Sequence, residues 1–359
     1  MLTSSLLQKT KSDKFFLSNK QFFINSIIEN IIDIYKPQNI FLPFSGGKDS
    51  TVLLHNTIET VLKIKKPPKI TIIHCDTLIE NPIIERHSYD FLKNLESFFK
   101  ANNLNFEIVI LKPVQTYWHS LIGKGYPLPN TMFRWCQRTL KIKPSEDYMK
   151  TVKDNDAVVF VGLRKDESKS RKNDITNNQL DNYQIKRQSK LKYFTPIMDL
   201  TETDIWEFLI SNKTLWKSSY QNIIDIYKGA RGECPLIPEI SKKNSGCGSR
   251  FGCWMCTLVK KDKSLQNQSL DNEDLLPLIN FREWTINFVK DDNNHFKYMR
   301  NGKPAKRGCL TFKARKKIFK ELKDLEKRTG ISVLSNNDLK NIKSQWKADM
   351  LFFKSRNII

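Results

Sequence analysis

The chain is short of acid. Its 359 residues hold 38 aspartates and glutamates against 60 lysines and arginines, a formal net charge of +22. No Asp or Glu occurs from 108 to 145, and none from 293 to 320. A basic excess gathered into acid-free stretches points to a polyanionic partner, whereas one spread evenly would reflect only a Lys- and Asn-rich composition. The second stretch carries Lys297, Arg300, Lys303, Lys306, Arg307, Lys313, Arg315, Lys316, Lys317 and Lys320. Nucleic acid contact is the expectation, with a solvated basic face as the plainer alternative. Long apolar runs are also missing. No window approaches eighteen uninterrupted apolar residues, so no membrane span is expected. The N-terminal MLTSSLLQKTKSDKFFLSNK lacks a signal-peptide apolar region, and the expected location is the cytoplasm. Cysteine comes as seven residues, an odd number. In a reducing compartment that argues against a disulfide framework and for metal binding or redox chemistry.

Short apolar runs alternate with helical periodicity through the first half. NIFLPF, KITIIHC, FEIVILKP and DAVVFVGLR read as strands. QFFINSIIENIIDIY, DSTVLLHNTIETVLKI and IIERHSYDFLKNLESFFKANN read as helices. That order predicts an α/β fold, a mainly parallel twisted sheet with helices on both faces. Residues 169–192 are polar and predict a loop. DLTETDIWEFLIS predicts a helix capped by Thr201 or Thr203. Three further helices are expected from LLPLINFREWTINFVKDD, FKARKKIFKELKDLEKRTG and SNNDLKNIKSQWKADMLFF, the second ending at Gly330. The expected organisation is an N-terminal segment 1–20, a nucleotide domain 21–226, a Cys-rich segment 227–263 and a basic helical region 264–359.

Between the first strand and its helix lies SGGKDST, residues 45–51. Gly46 and Gly47 permit backbone conformations that let the main chain approach an anion. The following helix aims its free amides and positive end at the same place. Ser45, Lys48, Ser50 and Thr51 add donors. A Walker loop requires G-x-x-x-x-G-K-[ST], and here Lys48 is followed by Asp49.

SGGKDST resembles the PP-loop of the ATP pyrophosphatases, which cleave ATP between the α and β phosphates and adenylate a substrate. Three other stretches resemble the PAPS-reductase-like branch of that family: HCDT at 74–77, GLRKDESKSR at 162–171 and FTPIMDLTETDIWEFL at 194–209. The resemblance implies ATP and Mg²⁺ as ligands. It makes Ser45, Gly46, Gly47, Lys48, Asp49, Ser50, Thr51, Asp76, Gly162, Arg164 and Arg171 candidate nucleotide contacts. Lys48, Asp49 and Arg164 become the candidate catalytic residues. Arginine suits a phosphate clamp because its guanidinium fork matches two oxygens at once. The nucleophile motif Glu-Cys-Gly-Leu-His of PAPS reductases is absent, which disfavours sulfonucleotide reduction.

The remaining signal is SGCGSRFGCWMC, with Cys247, Cys253 and Cys256 inside ten positions. This is metal-ligand spacing that lacks a fourth ligand. Cys234 in GECP would complete a local zinc site. Cys136 in RWCQRTLK would tie the segment to the nucleotide domain and suit an iron–sulfur cluster. Spacing alone leaves both open. In order after a PP-loop, RWCQRTLKIKP, GECP and CGSRFGCWMC resemble the DndC family, the ATP pyrophosphatases of bacterial DNA phosphorothioation systems. The resemblance extends from about residue 20 to 350. It implies a [4Fe–4S] cluster on Cys136, Cys247, Cys253 and Cys256, with Cys234 a fifth thiol that is structural, a substitute ligand or a sulfur carrier. It also implies double-stranded DNA, a cysteine desulfurase and other phosphorothioation-system proteins as partners. Two rivals stay open: a tRNA-thiolating PP-loop sulfurtransferase, and a zinc-stapled nucleic-acid-binding protein without catalysis.

Overall fold

A computed structural model of the chain describes residues 3–151, 156–180, 183–187, 189–231 and 252–356, with side chains described from residue 19 onward, 229–231 excepted. Cys234 and Cys247 lie outside the described residues.

The first helix, α1 (Thr3–Tyr35), buries Ile24, Ile27, Ile28, Ile31 and Ile32, one apolar face at helical spacing. Strand and helix then alternate: β1 (Asn39–Pro43), α2 (Lys48–Val61), β2 (Lys69–Cys75), α3 (Pro82–Ala101) and β3 (Phe106–Leu111). After β3 the chain winds through a π-helical turn at His119–Gly123, α4 (Trp135–Gln137), a second π-helical turn and α5 (Lys143–Thr151) before β4 (Ala157–Phe160). The expected loop at 169–192 is a correction. It contains α6 (Lys169–Asn178), β5 (Gln184–Ile185) and the start of β6 (Lys192–Phe194). Ser168 caps α6 by accepting from the Arg171 amide, and the helix buries only Ile175, too little to leave an apolar period in the sequence.

The sheet runs β3-β2-β1-β4-β6-β5, all parallel except the edge strand β5. The α/β architecture expected from the alternation is therefore present. Residues of β1 alternate between two cores. Ile40 and Leu42 join the large cluster under α1, α2, α3, α7 (Glu202–Ser211) and α8 (Gln221–Arg231), while Phe41 faces the side covered by Tyr148 and Met149 of α5. The chain proceeds outward from β1 to β2 and β3, then returns to place β4 on the other side of β1. Ligands in open α/β sheets bind at the carboxyl ends of the strands flanking such a reversal.

A second core lies apart from the sheet faces. It gathers Tyr117, Trp118, Leu121 and Trp135 with Trp254 and Met255 and with the helices α9 (Lys263–Asp271), α10 (Leu276–Lys290), α11 (Phe312–Thr329) and α12 (Asn336–Ser355). The three long C-terminal helices fall where the sequence predicts them. Gly330 ends α11 in the left-handed region at φ 68°, and Ser335 with Asp338 forms a capping box for α12. No helix among the described residues is long and apolar enough to cross a membrane.

Candidate functional site

The loop 45–47 closes the carboxyl end of β1. Its entry is fixed by the Phe44 amide donating to Ile73 O of β2 at 2.8 Å. Gly46 takes φ 74°, a left-handed conformation that favours glycine and turns the chain sharply into α2. Gly47 is the N-cap, and its carbonyl accepts from the hydroxyls of Ser50 (2.9 Å) and Thr51 (3.0 Å). The Ser45 and Ser50 hydroxyls meet at 3.1 Å across the loop. The first turn of α2 directs its amides and its dipole's positive end at this hollow.

Two cations converge on one carboxylate. Lys48 Nζ lies 3.0 Å from Asp49 Oδ2, and Arg164 Nε donates to Asp49 Oδ1. Arg164 leaves β4 by way of Gly162. A Cβ at Gly162 would sit 3.4 Å from the backbone of Asp49 and Ser50, so the β4 exit lies against the loop. Arg164 is 1% exposed, and its Nη1 donates to Leu200 O at 3.2 Å. It is thus a buried brace for Asp49 and, through it, for Lys48.

Arg171 is placed differently. It stands on α6, half exposed, with Nε 3.4 Å from Glu167. Asp76, at the end of β2, is buried and shapes its own turn. Its carboxylate accepts from the Leu78 amide and the Tyr89 hydroxyl, both at 2.9 Å, and Leu78 takes φ 62°. Burial, followed by this carboxylate, raises the Tyr89 phenol above its ordinary range.

Two contacts on the loop were missed by sequence reasoning. His87 of α3 meets the Gly46 carbonyl, and burial holds its imidazole below the usual histidine range. Tyr227 of α8 offers its hydroxyl to the Lys48 amide at 3.5 Å, with the Lys48 ammonium 5.6 Å from its ring centroid. Tyr227 opens the Cys-rich segment, where nothing in the sequence pointed to the loop. His87 reads from sequence as an ordinary histidine on a buried helix face.

The thiol turn follows. Cys253 pairs as an isolated antiparallel bridge with Glu80, flanked by Asn81 N to Gly252 O and Trp254 N to Ile79 O, each 3.1 Å. Its sulfur lies 3.8 Å from the Thr77 hydroxyl. The Cys256 amide closes the turn on Cys253 O at 3.1 Å. Arg282, 1% exposed, grips the far side. Its Nη2 donates to Cys256 O at 2.6 Å and to Val259 O at 2.7 Å. Burial pushes the Cys253 thiol up to about 11, with Lys141 pulling the other way. Burial also raises Cys136, and the neighbouring Cys256 adds to that shift.

Cys136, Cys253 and Cys256 all act electrostatically on one group, the hydroxyl of Tyr117. Burial and then these three thiols raise its pKa well above the ordinary value. Cys136 and Cys253 pack against the same apolar cluster, which contains Tyr117, Trp118, Trp135 and Trp254. Aromatic rings line the surroundings: Trp135 lies 5.1 Å from Tyr117, and Trp254 lies 5.9 Å from Trp118, centroid to centroid. Among the described residues, no three Cys, His, Asp or Glu side chains are close enough together to hold one metal ion.

Part of the basic stretch is spent inside the fold. Arg315 is fully buried and, with Arg300, donates to Asp349, at 2.6 and 2.7 Å. Arg307 pairs with Asp292.

The family model of the phosphoadenosine phosphosulfate reductase domain matches residues 39–259. Two uncharacterized proteins of Methanocaldococcus jannaschii, MJ0973 and MJ0066, are 27% identical over 247 residues and 28% identical over 239. The alignments cover 68% and 66% of this chain but 48% and 39% of those proteins, so the chain spans less than half the length of either. Among solved structures, the phosphoadenylyl-sulfate reductase of Candida auris in its phosphate complex is 16% identical, with 48% of this chain and 72% of that one covered, at a TM-score of 0.31. The U34-tRNA thiolase NcsA of Methanococcus maripaludis with its [4Fe–4S] cluster is 14% identical, with 60% and 74% covered, at 0.36. Scores this low carry no weight for function.

Proposed function

Because the chain belongs to the phosphoadenosine phosphosulfate reductase domain family, we propose that it is a nucleotide-dependent sulfur-transfer enzyme, and more finely a DndC-type ATP pyrophosphatase of a DNA phosphorothioation system. One observation carries the reading. The end of β2 serves both halves of the site: His74 Nδ1 meets Phe44 O at 2.9 Å beside the phosphate loop, and three residues on Thr77 touches the Cys253 sulfur. Nucleotide activation and thiol chemistry can then share one reacting group.

In this reading ATP lays its phosphates along Ser45–Thr51, facing the α2 amides. Mg²⁺, when bound with the nucleotide, would offset part of the triphosphate charge. A non-bridging oxygen of a DNA phosphate attacks the α-phosphorus, and pyrophosphate leaves. The DNA backbone then carries AMP, a better leaving group. Lys48 stabilises the charge that develops in that step, while Arg164 and Asp49 hold it in place. A sulfide-level nucleophile, freed from a cysteine desulfurase's persulfide by a thiol reductant that leaves as its disulfide, then displaces AMP. Basic residues outside the internal ion pairs, such as Lys297, Lys313 and Lys316, position the duplex through its phosphates.

The donor set of this reading is sulfur alone, which suits an iron–sulfur cluster: Cys136, Cys253 and Cys256 are free thiols, and Cys247 is the remaining ligand by resemblance. When bound, the cluster would supply a redox-capable centre bearing sulfide.

The test is pyrophosphate release from ATP with duplex DNA, a cysteine desulfurase and ³⁵S-cysteine. We expect RNase-resistant label in DNA, with release down at least ~100-fold in Lys48→Ala. Label confined to RNA overturns the DNA reading in favour of tRNA thiolation. No release from the unsubstituted protein with either nucleic acid leaves the non-catalytic binder.

A further inference from the structure

Between the π-helical turn at His119–Gly123 and α4, the chain makes a turn that points apolar side chains into water. Met132 is 96% exposed and Phe133 44%. The turn is built to hold them there. Asn130 Oδ1 accepts from the amides of Met132 and Phe133, each at 2.9 Å, and the Asn130 amide closes on Phe133 O at 3.3 Å. Its stem is fastened twice beside the cysteines. Trp135, next to Cys136, donates from Nε1 to Pro127 O at 2.9 Å, and Thr257, next to Cys256, donates to Pro129 O at 2.5 Å.

One exposed methionine would mean little by itself. This one heads a strip of rings and cations. Tyr126 lies 6.1 Å from Phe133, ring to ring, and the Lys124 ammonium stands 6.0 Å from the Tyr126 centroid. Arg134 is exposed, its Nε donates to Thr131 O at 3.3 Å, and no carboxylate among the described residues lies within ion-pair distance of it. The whole strip belongs to the acid-free stretch 108–145. Arg138 and Lys143, further along, meet Glu146 and Asp147 only beyond its end. Apolar and aromatic side chains interleaved with cations match stacked bases flanked by phosphates. A protein surface docking on Met132 and Phe133 would not require acid to be kept away.

We propose that Met132 and Phe133 form a wedge that enters a base step of the substrate duplex, with Arg134 on a flanking phosphate. The proposal rests on the DNA reading above and adds how the duplex is presented. Insertion of apolar side chains unstacks a step and kinks the duplex, and the opened backbone stands clear of its neighbours. Because the turn is already rigid, little ordering is needed when DNA arrives. Its fastening to Thr257 brings the opened step to the side of the molecule that carries the thiol turn.

The test uses the full chain and two short DNA duplexes of one sequence, one intact and one with a central abasic site, read by fluorescence anisotropy. A step that is already open needs no unstacking, so the unsubstituted protein should bind the abasic duplex about tenfold tighter. Met132→Ser changes a side chain that stands in water, and should bring the two duplexes to within about twofold of each other. Arg134→Ala should weaken both alike and reduce the slope of log affinity against log salt by about one. Equal binding of the two duplexes by the unsubstituted protein, or a preference that survives in Met132→Ser, overturns the wedge and leaves the DNA reading standing. Loss of cysteine desulfurase binding in Met132→Ser, with both duplexes bound as before, overturns it in favour of a protein partner. Failure of the unsubstituted protein to bind either duplex overturns the DNA reading itself.

Discussion

The phosphate loop and the thiol turn meet at the end of β2, yet they are held in opposite ways. The loop is an outgrowth of regular structure. Strand β1 delivers it, α2 receives it, and its internal bonds span five residues or fewer, as from Ser45 to Ser50. The thiol turn is clamped by side chains from afar. Arg282 reaches back to Cys256, Thr257 bonds Pro129 O at 2.5 Å, and Asn81 bonds Gln268 at 2.7 Å. Its shape depends on the second core. The loop should therefore survive damage to the C-terminal helices, and the thiol turn should not.

The largest expected effect probes that dependence. In Asp349→Ala, fully buried Arg315 loses its counter-charge and Arg300 loses the same partner. An uncompensated buried charge costs about 3–5 kcal/mol. Urea unfolding followed by thiol reactivity should register that loss, while nucleotide binding at the loop persists below the transition. A cost under about 1 kcal/mol, or loss of both functions together, would break the distinction.

The sheet core has its own weak point, which pH should expose. His55 is buried on α2, bonded to the Tyr220 hydroxyl at 2.6 Å, and burial pushes it down to about 4. The unfolded chain takes up this proton near pH 6.5, the folded chain only near 4. The unfolded state thus binds more protons between those values, and stability falls as pH drops through the window. The contribution is complete above about pH 6.5 and amounts to about 3 kcal/mol. Denaturant titrations from pH 7 to 4 should show the slope, and His55→Gln should flatten it.

A smaller effect, about 1 kcal/mol, is expected for Thr201→Ala. Thr201 accepts from the Asp204 amide at 3.2 Å and Asp204 returns the bond to the Thr201 amide at 2.8 Å. Thermal unfolding measured by circular dichroism should report it, and the thiols should react at their original rate.

What was legible follows the same division. The change from period 2 to period 3.6 around SGGKDST marks strand, loop and helix, so the nucleotide half could be read locally. Between Thr201 and Thr203 as caps, only Thr201 has a carboxylate three residues on that can reciprocate. The second core was not legible, because its partners are far apart in sequence. Thr116 bonds Asp338, and Trp346 Nε1 donates to Ile122 O at 2.8 Å across 224 positions. Residues 169–192 escaped for a different reason, since α6 is held by its cap and the Arg187–Asp174 pair rather than by apolar periodicity. Charge counting has the same blindness. It marks Arg300 and Arg315 as basic surface, when both neutralise Asp349 inside the fold.

The smallest expected effect separates two arginines that the motif GLRKDESKSR presents as equals. Arg164 is buried against Asp49, so Arg164→Ala leaves a cavity and frees the carboxylate to pull on Lys48 alone. Arg171 is half exposed and meets Glu167 at 3.4 Å on the surface of α6. Exposed pairs of that kind contribute about 0–1 kcal/mol. Arg171→Ala should therefore change stability by about 0.5 kcal/mol or less and leave the ATP KM for pyrophosphate release within about twofold. A KM raised tenfold would mean that Arg171 leaves Glu167 for the nucleotide, and the division between a rigid loop and its surroundings would then have to be redrawn around α6.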